Sequence, residues 1–95
     1  PRIPFGSLVE RGILSPGQDL HSYNGRYIAK IRADGSLIAH DAKGSIHQVG
    51  AILEGLPSCN GWAYWHFKID ETSAPIDLLR QQVRAEIQDS NSDLH

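Results

Sequence analysis

The chain has 95 residues, 40% of them hydrophobic and 21% charged, with a formal net charge of −2. This length suits one small domain with a thin core and excludes a two-domain enzyme. No apolar run is long enough to cross a membrane as a helix, and a single cysteine, Cys59, excludes an internal disulfide framework.

The single thiol fits a reducing, cytoplasmic setting. His21, His40, His47, His66 and His95 form no pair at zinc-ligand spacing, so no structural metal is expected. The chain opens at Pro1 without an initiator Met or a basic-then-apolar leader, and therefore reads as a fragment of a longer protein. Charge is uneven: residues 1–69 carry seven Lys/Arg against five Asp/Glu, whereas residues 70–95 carry two against six.

In chain order, Pro4 with Phe5, Leu8, Val9 and Gly12 predicts a short amphipathic helix over about 4–12, with Pro4 in its first turn. Ser15 to Asp19 has turn chemistry, and Leu20 to Tyr23 reads as a short strand before an Asn24-Gly25 turn. Arg26–Ala33 and Ser36–Ala42, separated by Asp34-Gly35, predict a β-hairpin over about 26–42. Ser45 is placed as the N-cap of a helix over about 45–55 that buries Ile46, Val49, Ile52, Leu53 and Leu56 and stops at Gly55 and Pro57.

Trp62 to Ile69 alternates as a strand, with Ala63, Trp65, Phe67 and Ile69 facing the core and Trp62, Tyr64, His66 and Lys68 facing out. Thr72, Ser73 and Pro75 open a last helix over about 75–88 that carries Ile76, Leu79, Val83 and Ile87 at helical spacing. The expected fold is thus α+β, a small antiparallel sheet packed with three helices. Residues 1–88 form the domain, and residues 89–95 a flexible acidic tail.

Catalytic constellations are missing from the pattern: there is no phosphate-cradling glycine loop, no HExxH and no nucleophile elbow. No catalytic residue is assigned. Three features are compatible with nucleic acid instead. Lys43, Ser45 and His47 surround a helix N-terminus, where anions are favoured, although Ser45 also serves simply as a cap. Asn60, Trp62 and Tyr64 offer an amide for a base edge and aromatic faces for stacking, although core packing also accounts for the rings. Arg26, Lys30 and Arg32, with Ile28 between them, fall on one pleat face of alternate residues about 7 Å apart, a row that matches successive phosphates or is simply a solvated face. For Arg80 and Arg84, ion pairs with Asp77 and Glu86 are the simpler account.

Taken together, Pro4-Phe-Gly-Ser-Leu-Val-Glu-Arg-Gly12, Ala33-Asp-Gly-Ser-Leu37, Gly44-Ser-Ile-His-Gln-Val-Gly-Ala51 and Asn60-Gly-Trp-Ala-Tyr-Trp-His-Phe67 resemble the RAMA domain (restriction enzyme and adenine methylase associated). The likeness is specifically to the C-terminal domain of bacterial cell-cycle-regulated adenine methyltransferases of the CcrM type. It runs from about Arg2 to Ile87.

The resemblance implies a parent enzyme that moves a methyl group from S-adenosylmethionine to N6 of adenine at GANTC sites. Its catalytic motifs are absent from these residues, so the fragment is expected to bind no cofactor and to catalyse nothing. The family pattern assigns DNA contact to Ser45 and Trp62. The implied partners are duplex or locally opened DNA and a catalytic domain in the same chain, with a homodimer of the parent as a further possibility and nucleoid association as the setting. With a net charge of −2, binding by the fragment alone should be weak and should depend on linkage to that domain. Two other functions stay open: a docking or dimerisation module that uses Trp62 and Tyr64, and a reader of modified DNA.

Overall fold

A computed structural model describes residues 2–92, with side chains through Asp89. Six strands form one antiparallel sheet: β1 (Asp19–Ser22), β2 (Ile28–Ile31), β3 (Leu37–Ala39), β4 (Ala42–Gly44), β5 (Trp65–Ile69) and β6 (Thr72–Pro75). Their order is β4-β3-β2-β1-β5-β6. Four helices accompany them among the described residues: α1 (Phe5–Glu10), α2 (Ile46–Glu54), α3 (Gly61–Tyr64) and α4 (Asp77–Ser92). The chain is α+β as expected, with more strands and one more helix than the sequence pattern predicts.

Local chemistry explains most of the sheet. Asn24-Gly25 turns β1 into β2, with Ser22 Oγ donating to Asn24 Oδ1 at 2.6 Å and accepting the Tyr27 N–H at 3.0 Å. Between β2 and β3, Asp34 Oδ1 accepts from Ser36 N and Oγ, while Gly35 takes a φ of 82° that a side chain rarely adopts.

Two further turns carry no glycine. His40-Asp41 closes β3 onto β4 through the Ala39–Ala42 pair, and Asp70-Glu71 closes β5 onto β6 through Ile69–Thr72. His40 and Asp70 each take a φ of 53°, uncommon for residues other than glycine. The expected second arm of the hairpin, Ser36–Ala42, is therefore two strands separated by a turn. Thr72–Pro75, expected to open the last helix, is instead the edge strand β6.

From β4 the chain crosses back through α2 and α3 to place β5 beside the central β1. The helices lie over the face that buries Leu20, Ala29, Ile31, Leu37 and Ala39. Leu8 of α1, Val49 of α2 and Ile76, Leu79 and Val83 beside or within α4 complete this core. Trp65 sits at its centre, fully buried, with its indole N–H donating to the Ile46 carbonyl at 2.9 Å. Such a bond satisfies the one polar atom of a large apolar ring.

The opposite face of the sheet is open, with Ile28, Lys30, Ile38 and Lys43 exposed. On α2, Ile52 is exposed rather than buried, because Ile46, Val49 and Gly50 make up the inward side, and Leu56, also exposed, lies past the helix end at the Gly55 cap. The last helix continues past the expected end near Gln88 to Ser92, and the remainder of the expected tail, 93–95, lies outside the described residues. Among the described residues no helix is long and apolar enough to cross a membrane.

Candidate functional site

Ser45 caps α2 as its sequence position predicts. Its Oγ accepts the Gln48 N–H at 3.1 Å, and Gln48 Oε1 accepts the Ser45 N–H at 3.0 Å. This reciprocal box holds two otherwise unpaired backbone donors. Ser45 remains exposed, at the positive end of the helix dipole.

Two residues on, in the first turn of α2, His47 Nδ1 accepts the Gly61 N–H at 2.8 Å. The neutral ring then carries its proton on Nε2, which leaves a donor for a ligand. Gly61 is required here by contact rather than by φ. A Cβ on it would lie 2.5–2.7 Å from the Ile46 carbonyl group and side chain, so α3 packs against the first turn of α2 only through a bare backbone.

Asn60 caps this short helix, with Oδ1 accepting the Trp62 N–H at 3.1 Å. The residue is exposed, but its side-chain oxygen is committed to the cap rather than free for a base edge. The helical turn at Gly61–Tyr64 also replaces the first part of the strand expected over 62–69. It reverses the predicted facing: Trp62 is 7% exposed and Tyr64 6%, while Ala63 points to solvent. Trp62 is not an exposed stacking platform.

The Trp62 ring is instead held from two directions. Phe5 packs edge-on with its centroid 6.1 Å away, and the Arg80 guanidinium lies over the ring at 4.5 Å. Arg80 is also ion-paired with Asp77 one turn earlier on α4, as the sequence led one to expect. What that spacing did not indicate is the cation–π stack, since Trp62 and Arg80 lie in different elements.

These residues border a cleft of about 670 Å³, lined by Arg2, Ile3, Pro4, Phe5, Gly6, Gly35, Ser45, Ile46, His47, Trp62 and Arg80. A Cβ on Gly35 would stand 3.0 Å from the Gly6 Cα, so the β2–β3 turn reaches α1 closely enough to wall one side. Among the described residues the lining includes two arginines and no carboxylate, with an apolar side made by Ile3, Phe5, Ile46 and Trp62. Such a cavity suits an anion that carries an apolar or planar portion. Ser45, His47 and Trp62 are thus brought together, and Arg2 and Arg80 join them without any local signal in the sequence.

The other nominated residues lie outside that lining. Tyr64 donates to Glu54 Oε2 at 2.8 Å, Asn24 Nδ2 donates to the same oxygen at 3.0 Å, and Arg26 approaches Oε1 at 3.8 Å. This group ties the β1–β2 turn to the end of α2. The Tyr64 and Asn24 hydrogen bonds hold the Glu54 carboxyl below its usual range, aided by Arg26. Burial, and then the bond to Glu54, push the Tyr64 hydroxyl upward. The Cys59 thiol is likewise pushed up by burial and by the Glu54 charge, the opposite of what a thiolate nucleophile needs.

The expected row of Arg26, Lys30 and Arg32 is broken. Only Lys30 lies within β2, where it pairs with Asp19 across the strand at 2.9 Å. Arg26 is drawn to Glu54, and Arg32 stands past the end of the strand, half-buried. Lys43 is exposed on β4, on the open face beside Ile38.

A family model described as Restriction Enzyme Adenine Methylase Associated, RAMA, matches residues 1–89. Over 82 residues the chain is 28% identical to the type II methyltransferase M.HinfI of Haemophilus influenzae. That alignment covers 86% of this chain and 23% of the relative, so the chain spans under a quarter of that protein's length.

Proposed function

The chain belongs to the RAMA family, and from that premise we propose that it is a non-catalytic, DNA-contacting part of an adenine-N6 methyltransferase acting at GANTC sites. The catalytic domain of the parent, of the CcrM type, supplies S-adenosylmethionine and the methyl transfer. This part, at its C-terminus, holds DNA.

The observation that supports this reading is the convergence of Ser45, His47 and Trp62 with Arg2 and Arg80 on one carboxylate-free cleft. A helix N-terminus with a free imidazole donor and two arginines provides hydrogen bonds and positive charge for a DNA strand. Trp62 acts through Arg80, which it supports, rather than by stacking on a base itself. A concave site reached past α1 suits a strand end or a locally opened duplex better than an intact major groove.

Because the net charge is −2, non-specific attraction to DNA is small. Affinity in the parent comes largely from linkage, which raises the local concentration of the strand. The test is fluorescence anisotropy of the 95-residue chain with a GANTC duplex and with the same duplex carrying a short unpaired segment. Binding should favour the opened DNA and fall with salt; indifference to salt, or no binding at high protein concentration, contradicts the reading.

A second reading draws on Ile52 of α2 and Leu56 just past its end, exposed at 59% and 53%. A docking or dimerisation role uses these residues, because Trp62 and Tyr64 are already buried inside the chain. Dissociation of an oligomer by Ile52→Lys, with DNA affinity unchanged, would favour it.

A further inference from the structure

We propose that His21 and His66, paired across β1 and β5 on the open face of the sheet, hold a borderline divalent transition-metal ion, zinc or copper(II), through their imidazole nitrogens, with water completing its coordination. The site lies on the face away from the helices and the cleft, and it does not rest on the DNA reading.

Strand pairing makes the site. His21 and His66 are far apart in the sequence and no ligand spacing links them, yet they are direct partners in the β1–β5 ladder. Residues opposite each other in an antiparallel pair project from the same face with Cβ atoms about 4.5–5.5 Å apart. That face is the open one. Along β1, Leu20 and Ser22 are buried while His21 is only half-buried, and Asp19, two residues from it on the same side, meets Lys30 across the exposed surface. Two imidazoles so placed can close on one ion, whose bonds to nitrogen are about 2.0–2.1 Å long.

Neighbours on both sides confine the rings. Ile28 stands opposite His21 and Pro75 opposite His66, so that one row across four strands reads Ile28, His21, His66, Pro75. Ser73 Oγ lies 3.5 Å from His66 Nδ1. With Nδ1 protonated toward that hydroxyl, the lone pair is left on Nε2. An outer partner of this kind fixes the tautomer and orientation of a metal-bound histidine.

The donor set selects the ion. Imidazole suits zinc and copper, whereas magnesium and calcium take oxygen ligands. Among the described residues no group of three His, Cys, Asp or Glu side chains could share a metal, and the Asp19 carboxylate on this face is engaged by Lys30 at 2.9 Å. A closed four-ligand structural centre is therefore not what the pair builds. Two protein nitrogens leave the other positions open, and the exposed Lys30 and Lys68 on the same face repel a cation. The ion is held exchangeably.

The experiment titrates the 95-residue chain with zinc chloride in phosphate-free buffer while the histidine ring resonances are followed by NMR. A second arm adds one equivalent of copper(II) and records the electron paramagnetic resonance spectrum. The His21 and His66 rings should shift together on one saturable curve with a dissociation constant below about 100 μM, and the copper spectrum should show coupling to two imidazole nitrogens. His21→Gln and His66→Gln should each weaken zinc binding at least about tenfold, since loss of an outer partner alone costs that much, and each should remove one nitrogen from the copper spectrum. Ser73→Ala should weaken binding less than either. His40→Gln, in the β3–β4 turn, should leave both readouts unchanged.

Zinc shifts centred on other histidines, with His21 and His66 unmoved, overturn the proposal, as does saturation only above about 1 mM. A two-nitrogen copper spectrum that survives both substitutions overturns it as well. Two chains per zinc, seen by light scattering and abolished by His66→Gln, support the pair as the ligand set and give a second copy the positions assigned to water. Should a thermal melt show that a variant fails to fold, the wild-type ring shifts still decide.

Discussion

Two regions of this small protein carry the cations considered for DNA contact, and they hold them differently. On the open face of the sheet, Lys30 is 63% exposed and paired with Asp19, and Lys43 is exposed beside Ile38. At the cleft, Arg80 is only 25% exposed, with Trp62 beneath it and Asp77 at one end. The sheet presents exposed charges on its open face. The cleft presents an oriented donor at the edge of a cavity, beside a capped helix and a histidine whose tautomer is set by Gly61. Charge on a strand is easily read from a sequence, yet the better-prepared site is the one assembled from five separate segments.

The sharpest break in this comparison comes from removing the support. Trp62→Ala should cost about 3–5 kcal/mol in urea unfolding, the range for losing a buried aromatic, whereas Ile38→Ala on the open face should stay within about 0.5 kcal/mol. Equal losses would mean that the two regions are packed alike. It follows that loss of DNA binding in Trp62→Ala reports on the fold, and that Arg80 and Ser45 are the better probes of contact.

Gly61→Ala comes next. A Cβ pressed against the Ile46 backbone should destabilise the chain by about 1–3 kcal/mol, as overpacking does, measured by the same unfolding curves. An unchanged midpoint would show that α3 can move off α2. His47→Ala, which leaves the Gly61 N–H without its acceptor, should cost about 1–2 kcal/mol and also alter the cleft amides in NMR spectra.

A smaller effect lies at the far end of α2, where Glu54 receives Tyr64, Asn24 and Arg26. Its carboxyl is held below the usual range in the folded chain, so this contribution to stability is present above its ordinary pKa of 4.5 and is lost as pH falls through the folded value. Tyr64 has the opposite sign. Its raised value gives a contribution that is full below its ordinary pKa of 10.0 and is lost as pH rises beyond it. Glu54→Gln should flatten the acid limb of a stability-against-pH curve. An unchanged acid limb would place the acid sensitivity elsewhere.

Smallest of all, Lys30→Ala should leave stability within about 0.5 kcal/mol, because its partner Asp19 is itself exposed. A larger loss would make the sheet face more organised than its exposure implies.

How much of this could be read from the sequence varies by element. Ser45, Asp34-Gly35 and Asn24-Gly25 are local signals, and each stands where the sequence places it. The helical spacing of Ile76, Leu79 and Val83 holds as well. His40-Asp41 and Asp70-Glu71 were not legible as turns because neither contains glycine, and with them β4 and β6 were missed.

Trp62 and Tyr64 were misplaced for a related reason. The sequence alternates through residues 62–69, but Asn60 starts a helical turn that shifts the facing before β5 begins. Arg80 had a visible partner, Asp77, but its contact with Trp62 depends on the tertiary packing of α4 against α3. No spacing rule reaches across those elements.

The central claim, that the cleft rather than the sheet face holds DNA, is tested most directly by mapping backbone and arginine side-chain NMR shifts as the chain is titrated with GANTC DNA carrying an opened segment. The expected result is that the largest shifts fall on Ser45, His47, Gly35 and the Arg80 Nε–H, while Ile28, Lys30 and Ile38 move little. Shifts centred on the β2–β3 sheet face, with the cleft unmoved, would contradict it.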